Sequence, residues 1–216
     1  MIAVSLNTTL SLTLSQLACS RGGRPLFKQV DSVVESGQWL YVTGANGVGK
    51  TSLLRMVCGL APIETGDILW NGTSIHQQMD TFHQDLCYLG HLNALQESLT
   101  VRENLTFSGA LSGKATDPPQ TREVLTQFGL RGRSEQLVRH LSQGQKRRVA
   151  LSRLALSSAR LWVLDEPFVA MDDAGIQLLA DLIAGHLTRG GVTVLTSHQR
   201  VPIGNVAAQL LELRGS

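Results

Sequence analysis

An α/β fold, a mainly parallel sheet covered by helices, is what three features of this 216-residue sequence predict. Continuous apolar runs at Trp39 to Thr43, Leu161 to Leu164 and Val192 to Thr196 read as strands buried on both faces. Helical spacing follows them, in Leu53, Leu54, Val57 and Leu60 and again in "GIQLLADLIAGHL" from Gly175. Strands alternating with helices call for crossover connections and so for parallel pairing. Between these elements the pattern from Val101 to Ser157 is mostly helical, so a lobe at about 92–155 is expected as an insertion between sheet strands.

The other elements follow in order. Leu10, Leu12 and Leu14 alternate with Ser and Thr, the pattern of a half-buried strand. "SRGGRP" (Ser20 to Pro25) is rich in turn residues, and "GANGVGKT" (Gly44 to Thr51) is a glycine-rich turn. The helix after it has Gly59 near its end. "GDILWNG" (Gly66 to Gly72) has the form of a strand and turn of an antiparallel hairpin, which predicts an antiparallel β subdomain beside the parallel core. "TDPPQ" (Thr116 to Gln120) marks a proline loop in the helical lobe. Without repeats, low-complexity tracts or a linker, residues 1–216 are expected to form a single unit.

Composition narrows the class. Hydrophobic residues make up 43% and charged ones 17%, as in globular rather than disordered chains. A net charge of +2 is too small to argue for nucleic acid, and the nearest basic cluster is "QKRR" (Gln145 to Arg148). Cys19, Cys58 and Cys87 lack metal-type spacing and are expected to be small buried residues. The N-terminal stretch lacks the charged start and apolar run of a signal peptide, and no run approaches the roughly 20 residues that span a bilayer. Any membrane role must therefore go through a partner.

Three stretches carry chemistry. Gly44, Ala45, Asn46, Gly47, Val48, Gly49, Lys50 and Thr51 fit the phosphate-loop pattern G-x-x-x-x-G-K-[ST], with Ser52 next. Glycines let successive N–H groups turn toward an anion, and the following helix aims its positive end at the same place. Lys50 supplies a mobile cation for β- and γ-phosphates, and the Thr51 hydroxyl is placed to ligate Mg²⁺. The second stretch, "LWVLDEP", ends an apolar strand in two carboxylates. Asp165 there would hold the Mg²⁺ and Glu166 would orient the attacking water. The third, "HLSQGQKRRVALSRLAL", places Ser142 as a helix N-cap ahead of Gly144 and Gln145, another anion site, suited to a nucleotide held by a second copy. Taken alone, a capped helix with "KRR" as its solvated face is the simpler reading of that stretch.

Together, and in this order, the stretches resemble the ATPase subunits of ABC (ATP-binding cassette) transporters nearly end to end. "GANGVGKT" matches Walker A, "LSQGQ" the signature, "LWVLDEP" Walker B, "FVAMD" the D-loop with Asp172, and "TSH" the switch histidine at His198. The resemblance implies a P-loop NTPase fold of cassette type. It also implies a head-to-tail homodimer with each ATP between Walker A of one copy and Ser142, Gly144 and Gln145 of the other. His198 would contact the γ-phosphate, and ATP hydrolysis would drive a membrane partner.

The family's glutamine loop ends a strand in Gln ahead of a segment like "SLTVRENL" (Ser98 to Leu105); counting back places His91 at the glutamine position. That makes His91 a candidate catalytic or coupling residue. With "GH" here, "GRPLF" (Gly23 to Phe27) and "LWVLDEPF", the chain looks like the ATPase subunits of the heme exporters of cytochrome c biogenesis. These work at the cytoplasmic face of the bacterial inner membrane with the membrane proteins CcmB, CcmC and CcmD. A small exporter of lipid, drug or metal is the competing reading. A soluble cassette acting on ribosomes or DNA would carry two cassettes or a long insert, and a dead cassette would lack Glu166 or His198.

Two positions depart from the family. Gln143 stands where many members have glycine, which the loop tolerates if it needs no positive φ. Arg21 stands where an aromatic usually stacks on adenine, so base selectivity is expected to be looser. His76 and His83, on a polar stretch, are expected to be solvated rather than heme ligands.

Overall fold

The computed structural model describes residues 10–111, 117–198 and 202–215. Its antiparallel sheet contains β1 (Ser11–Arg21), β2 (Arg24–Glu35), β4 (Thr65–Trp70) and β5 (Thr73–Ser74), in the order β2-β1-β4-β5. The second sheet contains β3 (Trp39–Thr43), β6 (Leu86–Leu89), β7 (Leu161–Asp165), β8 (Val192–Thr196) and β9 (Gln209–Glu212), in the order β6-β7-β8-β3-β9, and every pair in it is parallel.

The continuous apolar runs of β3, β7 and β8 follow from burial on both faces. Leu40, Val42, Leu161, Val163, Val192 and Val194 join one cluster with Leu12, Leu14 and Leu17 of β1 and Leu53 and Leu54 of α1 (Lys50–Val57). Their neighbours Trp39, Tyr41, Trp162, Leu164 and Leu195 join another with Leu179, Ile183 and Leu187 of α6 (Asp173–Thr188) and the helices of the lobe. These central strands run the same way, so their carboxyl ends share one edge, where ligands of open parallel sheets bind.

A short helix, α2 (Met79–Asp85), precedes β6, and the lobe contains α3 (Val101–Leu111), α4 (Pro118–Gln127), a 3₁₀ turn (Val138–His140) and α5 (Gln143–Leu156). Several expectations need correction. The helix after the glycine loop stops at Val57, and Leu60, expected on its apolar face, is 54% exposed. Gly59, at φ 69°, follows the end of that helix. The described part of "TDPPQ" is a helix start rather than the expected loop: Asp117 is the N-cap of α4 and Pro118 its first residue, a place where a missing N–H costs nothing. Thr116 lies outside the described residues. Of the cysteines only Cys58 is buried; Cys19 and Cys87 are half-buried, because each lies on a strand of partly exposed residues. His76 and His83 are exposed, as expected, and the His83 ring lies against Cys58 O at 3.1 Å.

Candidate active site

At the shared edge, β3 runs into the glycine loop, β7 into Asp165 and Glu166, and β8 into His198. The loop is built for glycine at both ends. Gly44, at φ 140°, leaves room for the last strand: a Cβ there would stand 2.6 Å from Leu213 O, and Leu213 N donates to Thr43 O at 2.9 Å. Gly49, at φ 109°, caps α1, and a Cβ on it would press against the Phe27 ring at 3.0 Å. Val48, between them, is buried and anchors the loop to the core. Lys50 folds back so that Nζ donates to Gly44 O at 2.8 Å and Ala45 O at 3.3 Å.

Asp165 is 1% exposed and accepts from two hydroxyls, Thr51 Oγ1 at 2.9 Å and Thr196 Oγ1 at 2.8 Å. Thr196 also accepts from Glu166 N at 2.9 Å, so one hydroxyl spaces the two carboxylates. Glu166 is held at φ 49°, a left-handed conformation that costs a residue with a side chain about 1–3 kcal/mol. Its Oε2 accepts from His198 N at 3.1 Å. Its Oε1 is buried without a hydrogen bond, and His198 Nε2 stands 3.4 Å from it, close enough for an ion pair only if the ring is protonated.

A cleft of about 430 Å³ brings together the predicted residues Arg21, Asn46, Gly47, Gly49 through Ser52, His91, Asp165, Glu166 and His198. A larger cavity of about 620 Å³ lies between Trp39, Tyr41, Phe168 and residues 202–208; its described lining carries no charged side chain and none of the predicted site residues. Ser142, Gly144, Gln145 and Asp172 do not line this smaller cleft. Ser142 caps α5 in a capping box: its Oγ accepts from Gln145 N at 3.2 Å while Gln145 Oε1 accepts from Ser142 N at 3.0 Å. Gln143 opens the helix without a positive φ, so its side chain is unstrained there. Asp172 caps α6 and takes a two-pronged contact from Arg148 at 2.7 and 2.8 Å, which holds its carboxyl below the usual range.

"KRR" is not a solvated face. Lys146 pairs with Glu97, Arg147 is buried against carbonyls of the His91 loop and of Glu166, and Arg148 holds Asp172. Sequence reasoning missed Thr196 as well, although its place at a strand end two residues before His198 was a usable signal.

The residues present fit nucleotide and metal. Mg²⁺ usually takes one or two protein oxygens besides substrate phosphates, which is what Thr51 and Asp165 offer side by side. A family model described as ABC transporter matches residues 27–169. The cytochrome c biogenesis ATP-binding export protein CcmA of Albidiferax ferrireducens is 72% identical over 97% of this chain and all of that protein. The CcmA of Dechloromonas aromatica is 51% identical over 90% of this chain and 97% of its own. Among solved structures, an ABC transporter ATP-binding protein of Pyrococcus furiosus shares the fold, with a TM-score of 0.81 at 23% identity over 94% of this chain and 97% of that one. The chain therefore belongs to the ABC transporter family, among the cytochrome c biogenesis ATP-binding export proteins.

Proposed function

We propose that this chain hydrolyses ATP on behalf of a membrane exporter serving cytochrome c biogenesis. The observation that carries the catalytic part is Glu166 Oε1, a buried carboxylate oxygen left without a hydrogen bond beside Lys50, Thr51 and Asp165. A carboxylate in that state is a ready acceptor for a proton of the attacking water. The loop N–H groups and Lys50 hold the β- and γ-phosphates, Lys50 leaving its carbonyl partners for the stronger charged ones. Mg²⁺ held by Thr51 and Asp165 would neutralise phosphate charge as it develops. His198, in contact with Glu166 through its own N–H, is placed to sense the γ-phosphate and fix the carboxylate.

Residues 1–216 act in this reading as one nucleotide-binding unit, with the lobe at about 92–155. Ser142, Gly144 and Gln145 serve the nucleotide of a second copy in a head-to-tail dimer, in line with their place outside the copy's own cleft. Asp172 lies at the same meeting face. Among the described residues no helix is long and apolar enough to cross a membrane. Work at the inner membrane would therefore go through membrane subunits such as CcmB, CcmC and CcmD, with heme or its chaperone as cargo. His91 lines the nucleotide cleft and also the adjoining space beside Arg55 and Arg153, a position suited to coupling hydrolysis to such a partner.

Glu166→Gln tests the reading. The variant should bind ATP, accumulate as an ATP-held dimer, lose turnover and fail to support cytochrome c maturation. Wild-type turnover in that variant would remove Glu166 from the chemistry.

A further inference from the structure

Arg147 is 5% exposed on α5, yet none of the described carboxylates lies within ion-pair distance of it. Burying a full charge against neutral groups is costly unless its donors are well used. Here one guanidinium nitrogen donates to Glu166 O at 2.8 Å, and the other reaches Gly90 O at 3.4 Å and Asn93 Oδ1 at 3.3 Å. Those last two acceptors flank His91.

We propose that Arg147 is a positioning residue for ATP hydrolysis: its guanidinium is the strut that fixes the Glu166 main chain and the His91 loop relative to the signature end of α5. The inference rests on the reading of Glu166 as the residue that orients water. Three observations support it. Glu166 sits at φ 49°, so both of its peptide planes must be pinned for its carboxylate to keep its aim. Thr196 pins the N–H side from the sheet, and Arg147 pins the carbonyl side from the helix. Gln143 at the start of α5 lies four residues before Arg147, about one helical turn or 6 Å. A shift of α5 caused by a second copy's nucleotide at Ser142 and Gly144 would thus reach Glu166 through a single side chain.

The strut is separable from the fold. Lys146 pairs with Glu97, and Arg153 reaches Asn93 O and Ala94 O at 3.5 Å, so the His91 loop stays tied to α5 without Arg147. What Arg147 alone supplies from this helix is the link to Glu166.

The test compares Arg147→Ala, Arg147→Lys and Glu166→Gln in the full chain, with its membrane partners where activity needs them. Arg147→Ala should lower kcat about 100-fold, the effect of a misplaced reacting group, while ATP affinity and KM stay at wild-type values. Added guanidinium ion should restore part of that kcat. Arg147→Lys keeps the charge but cannot span Glu166 O and Gly90 O at once, so its kcat should fall about tenfold. The proposal is overturned if Arg147→Ala keeps wild-type kcat, or if its kcat falls in step with lost ATP affinity and guanidinium restores nothing. If Arg147→Ala does not fold, Arg147→Lys decides: a folded variant with reduced kcat supports the strut, and one with wild-type kcat overturns it. If Glu166→Gln is inactive while Arg147→Ala is fully active, this inference alone fails. If Glu166→Gln itself turns over, the reading of Glu166 fails first.

Discussion

Acid should weaken this protein through one imidazole. His186 lies on α6, 5% exposed, with its ring stacked on Trp162 at a centroid distance of 3.9 Å and an interplanar angle of 6°. Its Nε2 lies 3.3 Å from Val192 O. Burial pushes its pKa down from 6.5 to about 4, with a smaller push in the same direction from Arg189 and opposition from the backbone carbonyls. The folded state therefore resists a proton that the unfolded state accepts near pH 6.5. Above pH 6.5 both states are neutral and His186 contributes in full. As pH falls from 6.5 toward 4 that contribution drains away, and below 4 the loss levels off. The gap corresponds to about 3 kcal/mol in all, of which about 2 kcal/mol is gone by pH 5. Other groups titrate over the same range, so the measurement is a comparison with His186→Phe, which keeps an aromatic on Trp162 but cannot take a proton. Urea unfolding followed by circular dichroism at pH 7.5 and pH 5 should show wild type losing about 2 kcal/mol more than the variant. Equal losses in the two proteins would mean that His186 does not drive the loss of stability in acid.

Two further outcomes test the site. Thr196→Val keeps the shape but strips the shared hydroxyl from Asp165 and Glu166 N; with an unpaired buried group costing about 1–3 kcal/mol, steady-state ATP turnover should fall by about one to two decades. Unchanged turnover would mean that Asp165 and Glu166 are held by something else. Arg21 lines the cleft that holds Lys50 and Thr51, and a guanidinium can lie flat on any purine, so GTP should compete appreciably in a nucleotide competition assay. Strict ATP preference would count against Arg21 as the base platform.

What was legible in the sequence was what local pattern controls. Gly44 to Thr51 names its own geometry, because only glycine at Gly44 and Gly49 tolerates the backbone and the neighbours found there. The runs of β3, β7 and β8 gave away their double burial, and Ser142 its capping role. What long-range packing controls was hidden. β9 is a short, largely exposed strand with no alternation to betray it, and its place beside β3 depends on pairing across the whole chain. Arg147 and Arg148 are adjacent and chemically alike, yet one is buried under Glu166 and the other holds the exposed Asp172. Nothing in "KRR" separates them; α5 does, by turning them through successive positions around its axis. Thr196 was passed over because a threonine has no chemical signature of its own, and only its place at the end of β8, two residues before His198, pointed to it.

The close approach of Leu213 to Gly44 makes the shape of the glycine loop depend on a strand far from it in sequence. The residues proposed to hold phosphate and metal all lie at or before His198, but the wall against which the glycine loop is folded comes from residues 209–213. A chain that keeps all of those residues but loses β9 also loses the backing strand that shapes the loop. Nucleotide affinity should therefore disappear when β9 is detached from β3, so it reports on a strand that contributes none of the residues lining the cleft.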